Sequence, residues 1–337
     1  MDWTISGAPQ GPALRMTTPR EEHTLAAVPL RIVSYNVRYF GHALRGLAST
    51  RGNKRRIAEA LAWLDPAPDI VCLQEVETLS LRSSLMYRRS HLGETQLEGF
   101  MGQLEQAFER RPPPFPYDAY YFRAHVNRIG NTPLQSMGLA ILVHRYRIGI
   151  GAHNCESPHD ITYHHVLRWK DRKQTRICAH MKLIAPGGRP FHVFNTHLSL
   201  PTPFSKKFWT GSQRMGFGVN QVHEAKTLAS FIQRHAGDEP FIVCGDFNSP
   251  PASPVYRYLT EDCGLVGVQS ELKQINGDPR EFPTAGFMNL RMHLDHLFSG
   301  GGVRWLDLDG TCKFGDRSSP FWGKSDHMPL IGRFDVR

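Results

Sequence analysis

Apolar and polar positions follow two rhythms along this chain. Short β-favouring runs recur at Arg31-Ile32-Val33-Ser34-Tyr35, Asp69-Ile70-Val71-Cys72-Leu73-Gln74, Phe191-His192-Val193-Phe194 and Phe241-Ile242-Val243-Cys244. Runs this short, stopped by Gly and polar residues, suit strands covered on both faces. Between them lie helical patterns. Asn53 to Leu64 places Ile57, Leu61 and Leu64 at helical spacing and closes at Pro66 and Pro68; Leu97 to Phe108 ends before Arg111-Pro112-Pro113-Pro114. Asn220 to His235 carries Val222, Ala225, Leu228, Ala229 and Ile232 as one apolar face.

Further strands are expected at Tyr117 to Ala124, Leu139 to Val143 and Gln174 to Leu183, and near 294–298 and 328–334. Pro186-Gly187-Gly188 predicts a hairpin joining Gln174 to Leu183 with Phe191 to Phe194. The first half therefore reads strand, helix, strand, helix and then several strands, and the second half repeats the scheme. No low-complexity linker separates the halves. The pattern predicts one α/β (α+β) domain over residues 30–337, with two sheets face to face and helices outside. Residues 1–29, with Gly7, Pro9, Gly11, Pro12 and Pro19, are expected to be a flexible leader.

Most of the apolar runs carry polar chemistry near an end. Asn36 follows the first, Glu75 the second, and Asn195-Thr196-His197 the third; Gly245-Asp246-Phe247-Asn248 follows the fourth. Leu294 opens onto Asp295, and Ser325-Asp326-His327 precedes Met328-Pro329-Leu330-Ile331. An i, i+2 pair on an extended segment points to one side, so Asp246 and Asn248 are expected to face one ligand.

Composition narrows the partner. Lys and Arg total 40 against 31 Asp and Glu, a formal charge of +9 over 337 residues, which favours a polyanion. No stretch reaches the roughly 18–20 apolar residues of a membrane span. The first 30 residues also lack the apolar core of a secretory signal. The six cysteines show no C-x-x-C spacing, and Cys72, Cys178 and Cys244 sit inside apolar runs, which fits a reducing cytoplasm. His153, Cys155, His159, His164 and His165 match no standard structural zinc spacing.

Taken in order, Tyr35-Asn36-Val37, Leu73-Gln74-Glu75, Asn195-Thr196-His197-Leu198, Gly245-Asp246-Phe247-Asn248, Leu294-Asp295-His296 and Ser325-Asp326-His327 resemble the endonuclease/exonuclease/phosphatase superfamily, the DNase I-like fold. The resemblance covers roughly residues 30–335. It implies a four-layer αββα sandwich of two mixed sheets and hydrolysis of a phosphoester with Mg²⁺, for which Mn²⁺ is a substitute. Mg²⁺ prefers oxygen ligands, and Glu75, Asn36 and Asp326 are the implied set. Asp246 and Asn248 would orient and deprotonate water or hold a second metal, and His197 would contact the phosphate or the leaving oxygen. Asp295 would accept the Nδ1 hydrogen bond of His327, making a dyad that serves as general base or stabilises developing charge.

One position departs from the pattern of some nuclease branches, apurinic endonucleases among them. They carry an acid two residues after the motif asparagine, where this chain has Arg38. That removes a ligand relative to those branches and argues against a repair endonuclease. Pro201 to Trp209, with Lys206 and Lys207 among aromatics, is expected to grip substrate, as is Asn195; Val166 to Arg176 is a second basic segment, and His42 and Arg45 are further pocket candidates. The expected substrate is a phosphodiester in nucleic acid or nucleotide, favoured over a phospholipid, sphingomyelin or inositol phosphate. A silent binding module of the same fold is the remaining alternative. No protein partner is predicted.

Overall fold

The computed structural model describes residues 28–40, 50–80, 96–109, 114–129, 132–163, 175–200, 214–274, 282–287, 290–309 and 313–337. The expected leader falls almost wholly outside them. So do Lys206, Lys207, His42, Arg45 and most of the second basic segment.

Six strands form the first sheet: β1 (Leu30–Asn36), β2 (Ile70–Ser80), β3 (Tyr117–Ile129), β4 (Thr132–His144), β14 (Val303–Leu308) and β15 (Leu330–Val336), in the order β14-β15-β1-β2-β4-β3. The second has seven. It runs β10 (Val266–Gly267), β13 (Asp295–Gly300), β9 (Phe241–Asp246), β8 (Pro190–His197), β7 (Ile177–Ile184) and β5 (Gly149–His153), with β6 (His159–Asp160) also on β7. A small hairpin pairs β11 (Ala285–Phe287) with β12 (Leu290–Met292). Each large sheet is mixed, with one parallel pair at its middle: β1 beside β2, and β8 beside β9.

The strict two-residue period of a strand builds the layers. On β1 and β9, Ile32, Ile242 and Cys244 point between the sheets, where they meet Ile70, Cys72, Ile141, Met181, Val193 and Leu297. Their neighbours point outward. Val33, Tyr35, Val71 and Leu73 pack under α1 (Thr50–Ala62) and α2 (Gln96–Phe108) against Ile57, Leu61, Phe100 and Leu104. Val243, Phe194 and Phe298 pack under α3 (Val219–Ala236) against Ala225, Leu228 and Ile232. The result is an αββα sandwich. Parallel strands buried on both faces are why their sequences read as unbroken apolar runs rather than alternation.

The differences from expectation lie where pairing substitutes for an apolar signal. β3 and β4 are each 13 residues long, well beyond the expected apolar cores, because each supplies the other's hydrogen bonds as a hairpin. β5 is an exposed edge strand and β14 an outer strand, and neither carries a strong run. The hairpin between β7 and β8 forms as predicted, with Gly187 and Gly188 at φ 100° and 87°. Among the described residues no helix is long and apolar enough to cross a membrane.

Candidate active site

The two parallel pairs end side by side, and the polar residues after their apolar runs meet there. Register sets one row: His197 of β8 lies opposite Asp246 of β9, and Asp246 opposite Asp295 of β13. In the other sheet Asn36 pairs with Gln74, one residue before Glu75. A bulge places Glu75: between Leu73 and Val76, β2 advances three residues while β4 advances two, from Ala140 to Gly138. Glu75 takes φ 54° there, a left-handed conformation that costs a non-glycine residue about 1–3 kcal/mol and is kept where the surroundings enforce it.

Two seams hold the sheets in register at this end. Gln74 Nε2 donates to Asn195 Oδ1 at 2.8 Å, and Asn195 Nδ2 donates to the carbonyls of Leu73 and Ala140 at 3.1 and 3.2 Å. Asn195 was expected to touch substrate. It is instead enclosed between the sheets with no exposed surface, and its amide satisfies the carbonyls that the bulged strand leaves open. The second seam runs through Asn36, whose Nδ2 donates to Asp246 Oδ2 at 3.0 Å and to Glu75 Oε1 at 3.3 Å.

Gly245 has φ 145°, and a Cβ there would collide with the Thr196 carbonyl, so only glycine lets β8 and β9 close up just before Asp246. β9 then stops, and Asn248 takes φ 49°. The expectation that Asp246 and Asn248 point the same way from an extended strand is corrected here. Asn248 N donates back to Asp246 Oδ1 at 2.9 Å, a turn closed by the aspartate, and Asn248 Nδ2 donates to the Leu198 carbonyl at 2.9 Å. Asn248 thus braces both Asp246 and the chain after His197. Helix α3 supports the same corner: Gln221 Nε2 donates to the Asn248 carbonyl, and Glu224 accepts from Ser199 N and Oγ.

The dyad forms. His327 Nδ1 and Asp295 Oδ2 are 2.8 Å apart, and His327 Nε2 is 3.8 Å from Asp246 Oδ2. Thr284, which nothing in the sequence singled out, ties the two halves together. Its hydroxyl accepts from Leu294 N and Asp295 N at 3.0 and 2.9 Å, and its carbonyl accepts from Met328 N at 2.7 Å. A threonine after Phe282-Pro283 gives no local sign of that duty. His296, the other motif histidine, turns away to the Ser249 carbonyl at 2.6 Å. Burial lowers its pKa to about 4, which keeps it a neutral structural group.

Electrostatics divides the remaining groups. Burial raises Glu75, with the Asp326 charge adding to it and the His327 charge and Asn36 opposing. Burial likewise raises Asp246, to about 7, with Asp295 and Glu75 adding and His327 opposing. Burial works against charge on His327, but Asp295, Asp246 and Asp326 together outweigh it and hold the imidazolium up to about 10. His197 is pushed well down by burial, then by the Arg176 and His327 charges, and so stays neutral.

A neutral imidazole beside two carboxylates is a cation donor set. His197 Nε2 is buried with no hydrogen bond, 3.5 Å from Asp246 Oδ2 and 3.8 Å from Glu75 Oε1. One ligand atom from each of these three residues lies within 4.8 Å of the others, and Asp246, Asp295 and His327 form a second such group. The residues therefore fit a divalent cation. Two members of the expected ligand set behave differently. Asn36 presents its amide nitrogen to the acids and its Oδ1 to Arg38 N at 3.0 Å, and Asp326 Oδ2 pairs with Arg38 Nη1 at 2.8 Å. Arg176, at the end of the second basic segment, lines the adjoining cleft with Glu75, Met137, Gly138 and His197.

A sandwich whose paired parallel strands deliver acids and histidines to a shared rim is a scaffold for divalent-metal chemistry. The Endonuclease/Exonuclease/phosphatase family model matches residues 33–327, and the chain belongs to that family. Over 110 residues, 32% of this chain, it is 28% identical to Nocturnin of Drosophila melanogaster, of which the match spans 15%. The human Nocturnin catalytic domain with bound sulfate has a TM-score of 0.59 at 19% identity, covering 92% of this chain and 95% of that one. ANGEL2, a 2',3'-cyclic phosphatase, in complex with adenosine-2',3'-vanadate, has a TM-score of 0.60 at 16% identity, covering 93% and 97%. Likeness at these identities carries the fold.

Proposed function

We propose that this chain is a Mg²⁺-dependent phosphodiesterase acting on nucleic acid or a nucleotide, with Mn²⁺ as an alternative ion. The observation that carries the reading is the buried, unbonded Nε2 of His197 facing the carboxylates of Glu75 and Asp246, with His327 Nε2 3.8 Å from the same Asp246 oxygen. Bound there, the cation supplies Lewis-acid neutralisation of charge on a phosphoryl oxygen. Asp246, with Oδ1 accepting from Asn248 N and Oδ2 from Asn36 Nδ2, would orient the attacking water beside the cation. His327, held protonated by Asp295, donates to a developing oxyanion or leaving oxygen rather than serving as the base. The net charge of +9 favours a polyanion. The shared fold of ANGEL2, a 2',3'-cyclic phosphatase that binds adenosine-2',3'-vanadate, supports the nucleotide end of the range.

The test is an activity panel with Mg²⁺ and with Mn²⁺: DNA, RNA, a 2',3'-cyclic nucleotide, sphingomyelin vesicles, phosphoinositides and an aryl phosphodiester. Nucleic acid cleavage that weakens steeply with added salt, through counterion release, is expected. Release of a headgroup from vesicles with no cleavage of DNA, RNA or nucleotide would overturn the substrate assignment.

A further inference from the structure

The cleft that adjoins Glu75 and His197 has a mostly apolar lining, supplied by Ala124, Met137, Leu139 and Ile177. Among the described residues that line it, Arg176 alone carries a permanent positive charge. Arg176 stands immediately before β7, and its backbone is held on both sides. Its N–H donates to Thr162 Oγ1 at 2.7 Å, and its carbonyl accepts from Ile161 N at 2.9 Å. The residue is only 8% exposed, and carrying a guanidinium into such a place has a desolvation cost that nearby groups must offset. Its charge favours the carboxylate form of Glu75 and the neutral form of His197, the two states that bind a cation. A divalent ion on Glu75, Asp246 and His197 would nevertheless repel a guanidinium in the adjoining cleft. That repulsion is relieved when an anion lies between the two.

We propose that Arg176 is a substrate-binding residue that takes phosphoryl oxygens of the ester in the cleft beside Glu75 and His197, between its guanidinium and the cation site. The proposal rests on the metal-dependent phosphoesterase reading above. A planar guanidinium offers two parallel N–H groups to two oxygens of one phosphate, a match that an ammonium does not reproduce. The apolar lining keeps competing water away from that pairing and strengthens it. Arg176 thereby makes the site demand a negatively charged phosphoryl group. Phosphate bound there offsets the repulsion between guanidinium and ion, so the anion and the ion each tighten the other.

Calorimetric titration of the intact chain with inorganic phosphate, with and without saturating Mg²⁺, tests this without reference to turnover. In wild type, Mg²⁺ should tighten phosphate binding about fivefold or more. Arg176→Met, which keeps the length and removes the charge, should weaken phosphate about tenfold or more, while Mg²⁺ alone binds at least as tightly as to wild type. Arg176→Lys serves if the Met variant does not fold; it keeps the charge, loses the fork and should weaken phosphate about threefold or more. An arginine with a purely structural role would instead lose Mg²⁺ affinity together with phosphate, because the ligand group would be displaced. A smaller loss in the folded variant, no phosphate binding to Mg²⁺-loaded wild type, or Mg²⁺ affinity falling in step with phosphate would overturn the proposal and leave the metal-dependent reading standing. Wild type that binds phosphate through Arg176 but takes up no Mg²⁺ would overturn the metal-dependent reading and leave the anion site.

Discussion

Asp295 Oδ2 lies 2.8 Å from His327 Nδ1, joining the first residue of β13 to the segment that leads into β15 in the opposite sheet. The bond fixes which ring nitrogen faces inward, so Nε2 points toward Asp246. It also stabilises the imidazolium, because the carboxylate charge is buried beside it.

Replacing Asp295 by Asn keeps the shape and removes that charge. Turnover should fall by about 10²–10⁴-fold with little change in KM, the range set by losing an oriented acid–base group. The falling limb of the pH–rate profile should move to lower pH, since His327 loses its nearest raising charge. Unchanged turnover would remove His327 from the mechanism.

Asp246 and His327 predict how the metal-free protein responds to pH. Both have folded pKa values above their unfolded ones, about 7 against 3.8 and about 10 against 6.5. For Asp246 the stabilising contribution is fully present below 3.8 and disappears as pH rises through about 7; for His327 it is present below 6.5 and disappears through about 10. Thermal melts of metal-free protein should therefore lose stability between pH 5 and pH 9 relative to Asp246→Asn, and added Mg²⁺ should restore it at the alkaline end. Parallel melting curves for the two proteins across that range would contradict the assignment.

Asn195 should behave as a structural residue. Asn195→Ala removes the donor to the Leu73 and Ala140 carbonyls and the shortest of the three acceptors of Gln74 Nε2, at roughly 1–3 kcal/mol for each buried group left unpaired. Denaturant unfolding should show the loss, while the KM of the folded fraction stays close to wild type. A large KM change with unaltered stability would return Asn195 to the substrate.

Gly245→Ala probes the approach of β8 and β9. The added methyl meets the Thr196 carbonyl and forces φ 145° on an alanine, so the strands must part next to Asp246 and His197. Destabilisation of about 2 kcal/mol or more is expected, with impaired metal binding even in the folded fraction. Wild-type Mn²⁺ affinity in this variant would show that the strand spacing does not set the site.

Glu75 and Asn248 mark the boundary of what local reading reaches. Both stand where an apolar run ends, which made them visible as candidates. Neither points where a regular strand would send it: a bulge against β4 turns Glu75 inward, and a turn closed by Asp246 turns Asn248 toward Leu198. Bulges and left-handed residues arise from the partner strand and from side-chain hydrogen bonds, and the sequence carries little trace of them. Thr284 and Arg38 were illegible in role for the same reason, since their partners lie 10 or more residues away: Leu294, Asp295 and Asp326.

By itself the sequence determined the order of the central strands and the three long helices, the two-sheet sandwich and the set of strand ends that hold the chemistry. Apolar periodicity is a local property, and burial on two faces writes it directly into short Val-, Ile- and Leu-rich runs. Only the tertiary structure decided how those ends are shared out: His197 with Glu75 and Asp246, His327 with Asp295, Asp326 with Arg38, and Asn195 withdrawn into the core. Those pairings depend on register and inter-sheet packing, which bring residues distant in sequence to within a few ångströms and are fixed by the fold as a whole.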